Sequence, residues 1–295
     1  MEFKIGFIGT GIMGKPMVRN LVRSGFDVDI FARHPKKVKD LKDDGIKILP
    51  TISRLAEKSN VIITMLPDSC DSRQVIIGTG GIIESAVRGT VVIDMSSIDP
   101  LVSKEIGQEL SKKGIEFLDA PVSGGEKGAI DGSLAIMVGG QKDIFIKVKS
   151  IFSVLGKSFT LIGDAGSGNF AKLANQVIVA VNIAAVSEAF ILAKKAGLDL
   201  NTVHNAIKNG LAGSRVLDSK GIAMIEDDYK PGFKINLHKK DLQNVANAAG
   251  SLNVPLPMTS QVFEILKSLT GKGYGELDHS AIVKYFEEIS GVKIK

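Results

Sequence analysis

The chain has 295 residues, 44% of them hydrophobic, and a formal net charge of +5 at pH 7. This length predicts about two domains, and the composition is that of a soluble globular protein. The lysines and arginines form no long basic block, which argues against a nucleic-acid-binding protein. A single cysteine, Cys70, excludes an intrachain disulfide. A reducing compartment is therefore favoured, and we expect a cytoplasmic protein.

Metal and membrane sites find no support in the sequence. The four histidines are dispersed without metal-ligand spacing, so no bound metal is expected. No charged and apolar leader precedes the first predicted strand. The longest apolar stretch, residues 177–186, is too short to span a bilayer, so we expect no membrane partner.

The first predicted strand, residues 3–8, leads into glycines at G-x-G-x-x-G spacing: Gly9, Gly11 and Gly14. Apolar residues then recur at helical intervals. A strand, a tight glycine turn and a helix in this order predict a dinucleotide-binding site. The cofactor phosphates would lie at the helix N-terminus, where unpaired N–H groups favour anions.

The second predicted strand, residues 28–32, bears on the choice of cofactor. NAD enzymes usually carry an acid at its end, to bind the ribose 2′-hydroxyl. Here Arg33 follows Ala32 instead. Because a guanidinium suits a 2′-phosphate, NADPH is preferred over NADH. The alternative is an exposed arginine with no ligand role.

The remaining elements indicate an α/β domain followed by a helical one. Apolar strands alternating with helices predict a mostly parallel sheet covered on both faces, as in a Rossmann-like fold. After a short helix at 36–44, further strands are predicted at 46–49, 61–65, 91–95, 117–120, 134–138 and 159–162.

Residues 169–196 contain no proline or glycine and are apolar on almost every side, which predicts one long buried helix of roughly 40 Å. Later segments are also helical in pattern. We therefore predict a dinucleotide-binding domain at 1–163 and an all-helical domain at 164–295, which begins with this interdomain helix.

Ligands of an open parallel sheet bind at the carboxyl ends of its strands. Three polar or glycine-rich loops follow those ends, at residues 66–68, 96–97 and 123–125. In the last of them, Ser123, Gly124 and Gly125 place backbone N–H groups beside a hydroxyl, which suits a carboxylate. The alternative is a turn that only needs glycine.

Four polar residues form a stripe on the long helix, within an arc of about 120°. They are Lys172, Asn175, Gln176 and Asn182. A partly buried lysine can donate or accept a proton near neutral pH. Alternatively, Lys172 extends into solvent or pairs with a carboxylate. Further on, residues 239–241 are either solvated charges or a cluster that faces a phosphate or an acid.

Four segments together resemble the β-hydroxyacid dehydrogenases, which include 3-hydroxyisobutyrate dehydrogenase. The resemblance covers essentially the whole chain. The segments are GFIGTGIMGKPM at 6–17, DAPVSGG at 119–125, GSGNFAKLAN at 166–175 and KDL at 240–242.

The resemblance implies a role for each matching residue. Lys172 is implied as the catalytic acid and base. The implied substrate-binding residues are Ser123, Gly124, Gly125, Asn175 and Phe233. The implied cofactor contacts are Gly9, Gly11, Ile12, Met13, Gly14, Ala32, Arg33, Leu66, Pro67, Ser97 and Lys240.

The implied activity is hydride transfer between NAD(P)H and a short semialdehyde acid, with tartronate semialdehyde as the first candidate substrate. Succinic semialdehyde, glyoxylate and the 3-hydroxyisobutyrate reaction stay open, as do an imine or secondary alcohol substrate and a non-catalytic cofactor-binding scaffold. The family also implies a homodimer or homotetramer through the helical domain.

Overall fold

The computed structural model describes residues 3–295, which divide into two compact units. The first unit ends at Lys172, and the second comprises Leu173–Lys295. This division lies inside the long helix rather than at its start. The predicted boundary after residue 163 therefore stays a prediction.

Within the described residues, the first unit is built on a sheet of nine strands. Its order is β3-β2-β1-β4-β5-β6-β8-β7, with β9 beside β8. Strands β1 to β6 run parallel to one another, whereas β8 runs antiparallel to β6 and β7. The strands are β1 Lys4–Ile8, β2 Asp27–Phe31, β3 Lys47–Leu49, β4 Val61–Thr64, β5 Val91–Asp94, β6 Glu116–Asp119, β7 Val122–Ser123, β8 Leu134–Gly140 and β9 Gly156–Gly163.

Helices cover both faces of this sheet, so the predicted Rossmann-like fold is confirmed. Alternate residues of one strand enter separate cores. Val61 and Ile63 belong to one core and Ile62 to the other. The helices are α1 Gly14–Arg23, α2 Lys39–Asp43, α3 Ile52–Lys58, α4 Ser69–Ile77, α5 Ile82–Ser85, α6 Pro100–Lys112, α7 Gly125–Ile130, α8 Lys142–Lys147 and α9 Lys149–Leu155, with a 3₁₀ helix at Pro35–Val38.

Two local predictions need correction. Residues 123–125 were expected in a loop, but Ser123 forms β7 with Val122, and this strand pairs with Ile136 and Ala135 of β8. The helix expected at 36–44 is present, but as a 3₁₀ helix at Pro35–Val38 followed by α2, Lys39–Asp43. A two-residue strand is too short for a sequence pattern, and its pairing depends on partners that lie 12 and 14 residues away along the chain.

The predicted long helix is present as α10, Ser167–Lys195. It is not buried on almost every side, because Ile178 and Leu192 are 67% and 73% exposed. Its length and composition would allow it to cross a membrane, unlike the 177–186 stretch alone, and half of its most apolar window is buried inside the protein.

The second unit is helical, as predicted. Its part of α10 borders a cavity of about 800 Å³ with a mainly apolar lining, to which the exposed Ile178 belongs. The other helices are α11 Leu200–Ile207, α12 Ile222–Glu226, α13 Ile235–Leu252, α14 Pro257–Gly271 and α15 Val283–Ser290, with a π-helical turn at Leu217–Gly221 and a 3₁₀ helix at His279–Ile282.

Candidate active site

The glycine turn after β1 has the geometry of a dinucleotide site. Gly9 has φ +101°, and a Cβ there would lie 2.2 Å from the carbonyl oxygen of Met65. A Cβ on Gly14 would lie 2.0 Å from the carbonyl oxygen of Gly9. At Gly11 a Cβ would meet no protein atom within 4 Å. The first and third glycines are therefore required by packing, whereas the second leaves open space where a pyrophosphate would lie.

The N-terminus of α1 is suited to bind that pyrophosphate. Met13 precedes the helix without a side-chain cap, and no acidic residue stands in the first turn. Ile12 is exposed beside it. Because the first N–H groups of a helix have no partner within the helix, they can donate to phosphate oxygens. The residues present thus fit a dinucleotide cofactor.

At the end of β2, Ala32 is half-buried and Arg33 has a side chain that is 71% exposed. Arg33 donates a hydrogen bond of 3.1 Å to Asp71 on α4. Sequence reasoning missed Asp71, which lies 38 residues further along the chain. A 2′-phosphate bound to Arg33 would compete with this carboxylate.

The loops after β4 and β5 are joined by hydrogen bonds. The Leu66 N–H donates to the Ser96 hydroxyl over 2.8 Å, and that hydroxyl in turn donates to Asp94. Thr64 also donates to Asp94, over 2.9 Å. Asp94 is fully buried, and this burial raises the pKa of its carboxyl. The loops that carry the predicted cofactor residues Leu66, Pro67 and Ser97 thus share one buried anchor.

The predicted carboxylate-binding loop joins β7 to α7. Ser123 ends the strand, and Gly124 and Gly125 have φ +137° and +62°. These left-handed conformations favour glycine on their own account. The turn alone therefore explains both glycines, and their role in substrate binding stays a prediction.

Lys172 belongs to the first unit and is only 5% exposed, unlike a lysine that extends into solvent. Asn169 lies one turn before it. The Asn169 side chain accepts a hydrogen bond from the Ile98 N–H and donates one to Ser103, each over 3.0 Å. The start of α10 is thereby tied to the loop after β5 and to α6.

Asp119, at the end of β6, binds the same helix start. Its two carboxylate oxygens accept the N–H groups of Gly166 and Asn169, each over 2.7 Å. Burial is the main influence on this carboxyl and raises its pKa to about 6, and the nearby charge of Asp94 adds to the effect. Although Asp119 is part of the DAPVSGG motif, sequence reasoning gave it no role.

The remaining predicted site residues, Asn175, Phe233 and Lys240, lie in the second unit. Two of them are linked through Asp241. Asn175 donates to Gln176 over 2.9 Å, and Gln176 donates to Asp241 over 2.7 Å. The Lys240 ammonium lies 2.9 Å from the other oxygen of Asp241. The KDL motif therefore supplies both the cation and its buried carboxylate.

Phe233 packs edge-on against two buried histidines, His238 and His279, with ring centroids 5.9 and 5.4 Å away. The Nδ1 atoms of these histidines are 3.0 Å apart. Dispersed along the sequence, they gave no signal of this pairing.

The backbone at Phe233 is held by Asp278, which accepts the N–H groups of Gly232 and Phe233 over 3.0 Å each. Burial alone would raise the pKa of Asp278. The positive charges of His279 and of Lys220, whose ammonium lies 2.9 Å away, together with the N–H groups of Ser280 and Phe233, outweigh burial and lower that pKa to about 2.

Comparison with known families agrees with these features. Residues 4–163 match the NAD-binding domain of 6-phosphogluconate dehydrogenase. Residues 166–286 match the family described as the NAD-binding domain of NADP-dependent 3-hydroxyisobutyrate dehydrogenase.

Individual relatives match along almost their full length. The 2-hydroxy-3-oxopropionate reductase of Escherichia coli K12 is 42% identical over 291 residues, with 99% of each chain covered. The 2-(hydroxymethyl)glutarate dehydrogenase of Eubacterium barkeri is 36% identical, with 99% of this chain and 98% of that one covered. The solved 3-hydroxyisobutyrate dehydrogenase of Mycobacterium tuberculosis, described with L-serine, superposes with a TM-score of 0.89 at 30% identity, covering 97% of this chain and 99% of that one. The chain therefore belongs to the 3-hydroxyisobutyrate dehydrogenase family and is an NAD(P)-dependent β-hydroxyacid dehydrogenase.

Proposed function

We propose that this enzyme reduces a short semialdehyde acid to the corresponding β-hydroxyacid, with tartronate semialdehyde, which gives glycerate, as the first candidate. The observation that carries the proposal is the burial of Lys172 near the start of α10, which is held by hydrogen bonds to Asp119. Lys172 also lies within the motif that resembles the family's catalytic segment. The 42% identity to a 2-hydroxy-3-oxopropionate reductase supports the choice of substrate.

In the proposed mechanism, Lys172 as an ammonium donates its proton to the alkoxide that develops on the substrate. In the reverse direction, the neutral amine accepts that proton. Its positive charge also stabilises the oxyanion as it forms. The bound cofactor supplies the hydride.

The substrate carboxylate is assigned to the loop after β7. The Ser123 hydroxyl and the N–H groups of Gly124 and Gly125 would hold it. They would thereby fix the position of the substrate carbonyl group relative to the cofactor and Lys172. Such positioning can contribute several kcal/mol to lowering the barrier.

The test is Lys172→Ala. General acid catalysis typically contributes 10²- to 10⁴-fold, so turnover should fall by about that factor while cofactor still binds. Lys157→Ala is the matched control, because Lys157 is an exposed lysine on β9. A Lys172→Ala enzyme with near-normal turnover would end the assignment.

A substrate panel tests the finer choice. Tartronate semialdehyde, succinic semialdehyde, glyoxylate and methylmalonate semialdehyde differ by a carbon or a hydroxyl, differences that pocket shape discriminates. We expect the highest kcat/KM with tartronate semialdehyde. A tenfold preference for another acid would reassign the substrate, and turnover of imines alone would reassign the reaction.

We further propose a preference for NADPH, supported by Arg33 at the end of β2. Its ion pair with Asp71 sharpens the test. Arg33→Ala should lower the NADPH-to-NADH ratio of kcat/KM. Asp71→Asn should raise it by about 3- to 10-fold, since a competing negative charge is removed from an exposed site. Glu105→Gln is the control, because Glu105 pairs with Arg73 on the same helix as Asp71. Equal ratios in all four proteins would exclude a role for Arg33.

We also propose that the second unit forms a homo-oligomer. Its apolar cavity is bordered by exposed Ile178, Leu211 and Met258, and contiguous exposed apolar surface marks interaction sites. Leu211→Glu should yield monomers in sedimentation analysis. Leu252→Glu, at an exposed leucine outside the cavity lining, should not. A monomeric wild-type protein would contradict this proposal.

A further inference from the structure

We propose that Asp119 is a positioning residue for Lys172, whose carboxylate fixes the first turn of α10 and thereby sets where the lysine nitrogen lies. The inference rests on the proposed function of Lys172. It concerns a residue that does not itself need to contact substrate.

The hydrogen bonds of Asp119 are directed at the start of the lysine helix. Its oxygens accept the N–H groups of Gly166 and Asn169, at 2.7 Å each. Gly166 precedes α10, and Asn169 lies in its first turn. One carboxylate thus binds the chain on both sides of the point where the helix begins. This fixes the direction of the helix as well as its position.

Close packing leaves the carboxylate no room to shift. A Cβ on Gly139, near the end of β8, would lie 2.3 Å from Asp119 Oδ1. A Cβ on Gly168, in the first turn of α10, would lie 2.3 Å from the Met137 carbonyl oxygen and 2.8 Å from that of Asp119. Strands β6 and β8 therefore touch the helix start through backbone atoms, at distances that only glycine permits.

The geometry carries this constraint to Lys172. The Asn169 backbone N–H donates to Asp119 while its side chain bonds to Ile98 and Ser103. Lys172 lies three residues later, on the same face of the helix. The rise between them is only about 4.5 Å. A tilt of the first turn would therefore move the lysine side chain directly.

Asp119 also places the loop that is proposed to hold the substrate. Only Ala120 separates it from residues 121–125, so one residue lies next to the acid-binding loop in sequence and bonds to the start of the lysine helix. The relative position of these two groups sets the distance from substrate carboxylate to proton donor.

Asp119 binds the helix start as a buried carboxylate, which is energetically unfavourable. Burial disfavours the charged form, and the pKa of this carboxyl is raised for that reason. The negative charge of Asp94 on the neighbouring strand β5 disfavours the Asp119 carboxylate further. Strongly perturbed acids of this kind cluster at functional sites.

The experiment is Asp119→Asn, measured at saturating and varied cofactor and substrate. An asparagine side chain offers one oxygen where two N–H groups need acceptors. We expect kcat to fall by about 10- to 100-fold, as for a displacement of about 1 Å, while KM for the cofactor changes less than about 2-fold. Asp199→Asn is the control, since Asp199 caps α11 through bonds to Thr202 and should leave kcat unchanged.

A pH profile separates positioning from general stability. Protonation of Asp119 removes an acceptor, so wild-type kcat should decline as pH falls through about 6, and Asp119→Asn should lack that decline. If Asp119 mattered only for stability, kcat of wild type and of Asp119→Asn would depend on pH in the same way. That result would overturn the inference.

Asp119→Glu keeps the test decisive if Asp119→Asn fails to fold. It retains a carboxylate but displaces the two oxygens that accept the Gly166 and Asn169 N–H groups by one methylene, and it should likewise lower kcat with an unchanged cofactor KM. Normal kcat in these variants, alongside an inactive Lys172→Ala, would overturn the inference but keep the proposed function. An active Lys172→Ala would overturn the function itself.

Discussion

Asp119 in the first unit and Asp278 in the second each hold a backbone segment through hydrogen bonds, but their carboxyl pKa values are shifted in opposite directions. Each buried carboxylate accepts two N–H groups from a segment that carries a predicted site residue. Burial raises the pKa of Asp119 to about 6. At Asp278 the same effect is outweighed by His279 and Lys220, and the pKa falls to about 2.

The difference shows what each anchor contributes. At neutral pH the charge on Asp278 stabilises the fold, whereas the charge on Asp119 destabilises it. Asp278 is adequately explained as a structural clamp on the Phe233 loop. Asp119 retains a charge that the fold alone disfavours, and its hydrogen bonds hold the start of the helix that carries Lys172.

Packing should produce the largest difference between the two regions. Gly168→Ala forces a methyl group against the Met137 carbonyl oxygen at 2.3 Å. At Gly232 the added methyl group would lie 3.6 Å from Asp278, an ordinary contact. We expect Gly168→Ala to lower the free energy of unfolding by about 3 kcal/mol or more, and Gly232→Ala by less than about 1 kcal/mol. Urea denaturation measures both, and equal losses would remove the contrast in packing.

The next largest difference between the two regions should be in how their stability depends on pH. The folded pKa of Asp119, about 6, lies above its ordinary value of 3.8. The native state therefore binds more protons between these values, and stability from this group falls as pH rises from about 4 to 6. The free energy of unfolding of Asp119→Asn, relative to that of wild type, should therefore increase by about 3 kcal/mol as pH rises from about 4 to 6. A pH-independent difference in unfolding free energy would contradict the raised pKa.

Asp278 should show the opposite sign and a smaller effect. Its folded pKa, about 2, lies below 3.8, so its contribution is present above about pH 4 and is lost as pH falls through 2. Asp278→Asn should lower the free energy of unfolding by about 2 kcal/mol at pH 7, and the difference from wild type should shrink on acidification. Acid titration of both proteins, followed by circular dichroism, tests this.

The two regions also differ in how far the sequence predicts them. The glycine turn, the apolar strands of the sheet and the helix after Gly166 depend on local patterns. Most of their bounds were predicted within two residues, although β9 begins three residues before its predicted start. Asp119, Asp71 and Asp278 depend on partners that lie far away along the chain. An isolated aspartate carries no sign of its acceptor role, so only the folded structure identifies such anchors.

The smallest effect concerns the cation beside Asp278. Lys220→Met removes a bond of 2.9 Å but leaves the carboxylate its bonds from Gly232, Phe233 and Ser280. Because those N–H groups and His279 remain, the loss should be about 1 kcal/mol rather than the several expected for an unpaired buried charge. Lys284→Met, which removes a more exposed pair with Asp227, should cost less than about 0.5 kcal/mol. If Lys220→Met cost as much as Asp278→Asn, the lysine would be the main support of the clamp. The contrast with Asp119 would then reduce to the presence of one cation.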